Sequence, residues 1–373
     1  MTGEPKTDTD EREVIAEQFD TEIDPLKKYE AEFWQLESEK GIDPYEMFLE
    51  DVVRGSSSER TIAEYEKSIA HFKSFISDKR HPACASDEQV IEFATHEIEE
   101  IGNQESTVGL KLSHVKRAYD YFGRESVFPH TGEYNPVEAA KLKLDLSESN
   151  ESSEYPRLTI PELREVLSPI THLFALTVIL LGFKLGMRQG EIRNVSLQDI
   201  HLTNSELQNH YETLGTHPQV TEYQNAIYIP SRYERPGNKS HEPRVLPLDD
   251  EMRHCLTQYL LIRPDCGESE VFVSQTDHER IRDKDGINRY WRRQIRPQIE
   301  IEEHHDEITS HFGRHYFTTY WKVEQNVARE YVQYMRGDKV GKSNSNESID
   351  DYLHTYYEDI EELYREEIYK LLM

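Results

Sequence analysis

Cysteine is scarce in this 373-residue sequence: Cys84, Cys255 and Cys266 are the only ones, and they lie far apart. Three are too few for a disulfide framework and too scattered for a zinc site, and no other cofactor or metal is suggested. Long apolar runs are missing too. The most apolar stretch, residues 173–187, is broken by Gly182, Lys184 and Gly186. It falls short of the roughly 20 residues that a spanning helix needs, so it reads as a buried helix. Residues 1–10 are polar and acidic and lack the apolar segment of a secretion signal. A soluble, cytoplasmic protein is expected, with no membrane partner. Positive charge is also short: 43 Lys and Arg face 72 Asp and Glu, a net charge of -29. Taken alone, that balance argues against nucleic-acid binding, which calls for a cationic face.

The acidity runs through the whole chain, and lysine supplies only 18 of the basic residues. This pattern resembles proteins of extreme halophiles, such as those of haloarchaea. Their carboxylate-rich surfaces stay hydrated in concentrated salt, which screens self-repulsion. An ordinary acidic protein is the alternative.

Four regions follow from composition and periodicity. Residues 1–50 carry 16 acidic and 5 basic residues and read as an acidic extension, with some helical periodicity from Ala31 to Phe48. Residues 51–143 read as a small helical domain. Thr61 and Glu64 have the spacing of a capping box, and Ile62, Tyr65, Ile69, Phe72 and Ile76 recur at helical spacing behind them. Further helices are expected after Ser86-Asp87 and after Ser106-Thr107. The second of these carries Lys111, Lys116 and Arg117 with few acids nearby. In so acidic a chain this is either a solvated helix face or a face laid against phosphates. Residues 144–156 are a Ser/Glu-rich linker. Residues 157–373 open with a second capping box, Thr159 and Glu162, run through helices, pass a β-hairpin (226–229 and 244–248) and return to helices. The fold class is mainly α (α+β): a helical N-terminal domain, then a mainly helical domain with a small antiparallel sheet.

Four short segments stand in order in that last region: Gly186-Met187-Arg188-Gln189-Gly190-Glu191-Ile192, Gly237-Asn238-Lys239 on the hairpin, His311-Phe312-Gly313-Arg314, and Tyr352-Leu353-His354. Their order resembles the tyrosine recombinase family, the phage-integrase or Xer-like enzymes, over residues 55–365. The resemblance implies a SAM-like core-binding domain at 51–143 and a catalytic domain at 157–373. It implies Arg188, Lys239, His311 and Arg314 as catalytic residues and Tyr352 as the nucleophile. DNA strands would then be cut and rejoined through a 3′-phosphotyrosine link, by a homotetramer acting on paired sites of double-stranded DNA. Lys111, Lys116, Arg117 and Arg244 are the candidate DNA-binding cations.

The chemistry agrees with these residue types. Two guanidiniums can fork onto the non-bridging oxygens of a phosphodiester and stabilise the charge that gathers there without a metal. A phenol can form a reversible phosphate ester. A lysine with its pKa lowered by nearby arginines can protonate the leaving 5′-oxygen, and the resemblance points to His311 for assistance with the phenol's proton. Each residue also has a plainer use: Arg188 pairing with Glu191, Lys239 as a turn lysine, His311 as a core histidine, Arg314 pairing with a carboxylate. His304-His305 with Asp306 reads as surface rather than metal site. One departure stands out. The family's Gly-His or Gly-Trp pair falls on Gly337-Asp338, which makes Asp338 the possible sixth site residue and keeps open a catalytically impaired, DNA-binding regulator. The apolar stripe Ile360, Leu363, Tyr364, Ile368, Leu371 and Leu372 suits either the chain's own core or docking on a neighbouring subunit.

Overall fold

In the computed structural model, the residues described are 24, 26–57, 59–130, 134–144, 154–283, 285–302, 305–339 and 355–372. They form two compact units that divide at residues 152 and 153. Among them no helix is long and apolar enough to cross a membrane. Tyr352, His354 and His304 lie outside the described residues, as does most of the 144–156 linker.

The first unit is all helical: α1 (Lys27–Lys40), α2 (Pro44–Phe48, continued by a wider turn Leu49–Arg54), α3 (Glu59–Ile76), α4 (Asp87–Glu99), α5 (Glu105–Phe122) and α6 (Pro136–Leu144). Its core holds Phe33, Tyr45, Phe48, Phe72, Phe93 and Phe122, all essentially inaccessible. Folded structure therefore begins well before residue 51. Phe33 and Leu36, the buried residues of α1, belong to the helical periodicity read from Ala31 to Phe48. Helix α3 starts at Glu59, which places Thr61 inside the helix rather than at its cap. Ser86 does cap α4, in a reciprocal box with Gln89. Pro136 begins α6, since a proline in the first turn gives up an N–H that has no partner there anyway.

The second unit comprises α7 (Ile160–Leu167), α8 (Leu173–Leu185), α9 (Gln189–Asn194), β1 (Ile200–His201), α10 (Ser205–His210), β2 (Ala226–Ile229), β3 (Arg244–Pro247), α11 (Asp250–Ile262), α12 (Asn288–Gln294), α13 (Ser310–Thr319), α14 (Arg329–Arg336) and α15 (Tyr357–Glu367). Thr159 and Glu162 cap α7 reciprocally. The sheet is antiparallel in the order β1-β2-β3, with Ile200 opposite Ile227 and Ile229 opposite Arg244. Apolar on every side, α8 is the central helix. Its one charge, Lys184, is fully buried and pairs with Asp249 and Glu251.

Helices α8 and α13 cross where Gly182 faces Gly313. A Cβ on Gly313 would stand 2.4 Å from the Trp291 ring and 3.0 Å from the Gly182 backbone. Only glycines permit that approach, and it fixes Arg314, the next residue, beside the end of α8. Helix α15 packs in cis: Ile360 and Tyr364 are buried, the Tyr364 hydroxyl donates to the Lys184 carbonyl at 2.7 Å, and the Leu371 N–H donates to Glu251. The C-terminal apolar stripe belongs to this unit's own core.

Candidate anion site

Arg188 stands between α8 and α9 in extended conformation (ψ 152°), so its side chain leaves the line of both helices. Its backbone N–H donates to Glu191 Oε2 at 2.9 Å. One guanidinium nitrogen of Arg188 donates to Asp338 Oδ1 at 2.8 Å. Arg314, from α13, donates to the same oxygen at 3.0 Å and to the Gly186 carbonyl at 2.6 Å. Arg336, the last residue of α14, lies 2.7 Å from Asp338 Oδ2. Three guanidiniums, two from helix ends and one from the middle of α13, thus surround one carboxylate.

Helix α14 ends at Gly337 with φ +64°, a conformation that side chains rarely adopt, and a Cβ there would lie 2.4 Å from Arg244. Position 337 is therefore held to glycine by sterics as well as by backbone conformation. That turn delivers Asp338 to the site.

Burial by itself would raise the Glu191 pKa. The charges of Arg244, Arg314 and Arg188 overrule it and hold the carboxyl at about 2. Desolvation and the nearby Arg188 guanidinium press the Arg314 pKa down to about 9, which still leaves it cationic at neutral pH. Desolvation lowers the His311 pKa, helped by Arg314, Arg188 and Lys239, so its imidazole is neutral at pH 7 and can take a proton. The Lys239 side chain is exposed, while its loop is fastened. Asn238 donates to the Pro230 carbonyl at 2.7 Å, and Arg235 forks onto buried Asp199. The His241 N–H donates to the Gly337 carbonyl at 2.9 Å, which ties the Lys239 segment to the turn carrying Asp338.

The structure brings together Arg188, Arg314 and Asp338, with His311 close enough to feel the charges of Arg314, Arg188 and Lys239. It does not place Arg244 at a DNA surface. Arg244 is 2% exposed, donates to Glu191 Oε2 at 2.9 Å and to the Met335 carbonyl at 2.8 Å. Its work is to hold Glu191 and the end of α14 in position. Lys111 is likewise buried, donating to Glu97 at 2.6 Å, and has no charge to offer a phosphate. Lys116 pairs with Glu138 at 2.7 Å, whereas Arg117 is exposed and donates to the Tyr65 hydroxyl. Near Tyr352, Tyr357 is buried and tied to Glu361 and Arg365, while Tyr356 is exposed. Arg336 is the residue the motifs missed. It precedes the Gly337-Asp338 pair in the sequence, and nothing in the sequence says which way it faces.

No family model and no curated protein matches the chain in sequence. Solved structures do match in fold. A lambda integrase tetramer bound to a Holliday junction aligns over 90% of this chain and 88% of its own, with a TM-score of 0.57 at 15% identity. A lambda integrase dimer bound to a core site covers 93% of this chain and 85% of its own, with TM-score 0.57 and 15% identity. The Tn1549 transposon integrase in complex with a circular-intermediate DNA covers 83% and 98%, again at TM-score 0.57 and 15% identity. At such identity the likeness is one of fold: mainly helical, with a small antiparallel sheet, as in these integrases.

Proposed function

We propose that this chain is a site-specific DNA recombinase of the tyrosine type. The observation that carries the reading is the convergence of Arg188 and Arg314 on a single oxygen, at 2.8 and 3.0 Å, within an integrase fold. Two fixed guanidiniums at one point are an oxyanion site that needs no reorganisation when charge develops. The scissile phosphate takes the place of the Asp338 carboxylate. The Tyr352 oxygen attacks phosphorus and gives up its proton to neutral His311. The bond from phosphorus to the 5′-oxygen breaks, and Lys239 protonates that oxygen. The resulting 3′-phosphotyrosyl link is then attacked by a partner 5′-hydroxyl. Double-stranded DNA is the substrate, and a homotetramer on paired sites is the working assembly. The net charge of -29 supports a halophilic setting, in which concentrated salt screens the acidic surface from DNA.

Asp338 itself favours the second reading, a regulator that binds DNA without cutting it, because a carboxylate already fills the oxyanion site. Nicked duplexes separate the two. A recombinase becomes covalently attached to one strand and exchanges strands between two sites, whereas a regulator shifts the DNA without covalent attachment.

A further inference from the structure

We infer that Arg336 is a third phosphate-binding guanidinium of this site, and that Asp338 is a tethered carboxylate which holds the phosphate's place until DNA displaces it. The inference rests on the recombinase reading and deepens it. In the family pattern a ring N–H after the glycine supplies the next donor, and a carboxylate cannot do that. Arg336 can, from two positions earlier in the chain.

The first support is an incomplete fit. Asp338 Oδ1 satisfies Arg188 and Arg314. Arg336 Nε, 2.7 Å from Oδ2, is out of line for a hydrogen bond and is buried without a hydrogen-bond partner among the described residues. Buried donors are nearly always satisfied, and this one has only an ion pair of poor angle, which a better-placed acceptor would improve. A phosphodiester spreads its oxygens tetrahedrally and can reach a donor that a planar carboxylate misses. The Arg336 side chain is otherwise steadied by a bond from its Nη1 to Thr318 Oγ1 at 3.1 Å.

The second support is charge. Among the described residues, Arg188, Arg314, Arg336 and Arg244 stand against only Glu191 and Asp338, and Glu191 is held chiefly by Arg244, with Arg188 at 3.3 Å. Removing Asp338 from the site leaves a cationic pocket suited to a group whose charge grows during reaction. The third is freedom to move. Asp338 lies beyond the end of α14, its side chain is 27% exposed, and exposed Lys339 follows it. Its side chain can rotate outward while its backbone N–H stays on the Gln333 carbonyl and the end of α14 stays wound.

The test uses the full chain and inorganic phosphate as probe, titrated against chloride at constant ionic strength and pH 7, read by calorimetry and by thermal unfolding. Asp338→Asn removes the competing charge and should bind phosphate about tenfold or more tightly than the wild type, one charge-assisted hydrogen bond being of that order. Adding Arg336→Gln should abolish the gain, and Arg336→Lys should restore part of it. Asp338→Ala, which removes the same charge by another route, should reproduce the gain. No gain in either Asp338 variant, or a gain that survives Arg336→Gln, overturns the inference. The recombinase reading fails separately. Phosphate binding as stated, with no covalent DNA adduct from wild type or Asp338→Asn, would remove strand cleavage and leave the anion site. An adduct with unchanged phosphate affinity would do the reverse.

Discussion

Helix α5 of the first unit and the Arg188–Arg314–Arg336 cluster of the second are both local surpluses of positive charge in a chain of net charge -29. Folding treats them in opposite ways. On α5, Lys111 is consumed by buried Glu97 and Lys116 by Glu138. In the second unit three guanidiniums share the one carboxylate of Asp338. A cation is available to a phosphate only after the carboxylates that fold against it have been subtracted, and that subtraction is tertiary.

The largest expected effects fall on the pairs that are closed. Lys111→Met leaves Glu97 buried without its ammonium, and Glu191→Gln does the same to Arg244. Each should cost about 3–5 kcal/mol of stability in denaturant unfolding. DNA affinity per folded Lys111→Met molecule should not change; a loss there would return Lys111 to the DNA-contacting side. Next comes the open cluster. Arg188→Ala should leave the fold intact and slow covalent adduct formation by about 10²–10³-fold, the usual cost of one oxyanion donor. An effect below about threefold would make the cluster structural, like α5.

Acid titration sharpens the comparison further. Glu191 has its carboxyl held at about 2, below the ordinary 4.5. Its contribution, on the order of 3 kcal/mol, is present in full above pH 4.5 and is lost as pH falls from there toward 2. Glu191→Gln should therefore flatten acid unfolding of the second unit in that window. His311 behaves in the opposite sense. Its lowered pKa puts the acid limb of adduct formation below the ordinary histidine value of 6.5, and a limb above it would contradict the cationic surroundings. The smallest effect is Lys116→Ala, under about 1 kcal/mol in stability, as for an exposed pair. It should leave the salt dependence of DNA binding unchanged, whereas losing one phosphate contact would reduce the slope by about 0.9.

Much of this was legible in the sequence, and the reasons differ by residue. Arg188, Arg314 and Lys239 sit in short segments whose order resembles a known family, and that resemblance, rather than any one segment, brought them forward. Lys111 was misread because Glu97 lies 14 residues away on another helix, and nothing local announces the pair. Arg244 was placed correctly on its strand and wrongly at the surface: all four residues of β3 are buried, so alternation gave no warning. Helix α1 showed as periodicity from Ala31 onward, and its packing into the first unit's core did not. The departure at Gly337-Asp338 was readable, while the direction in which Arg336 faces was not.

In the proposed reaction Arg188 and Arg314 form the oxyanion site for attack by Tyr352. Its most direct test is to incubate the full chain with a pool of nicked duplexes of randomised sequence, in the presence of chelator, and to map any denaturant-resistant protein–DNA adduct by peptide mass spectrometry. The account predicts an adduct on the peptide containing Tyr352, absent in Tyr352→Phe and strongly reduced in Arg188→Ala. An adduct that persists in Tyr352→Phe, or DNA that is bound firmly and never joined to the protein, would contradict it.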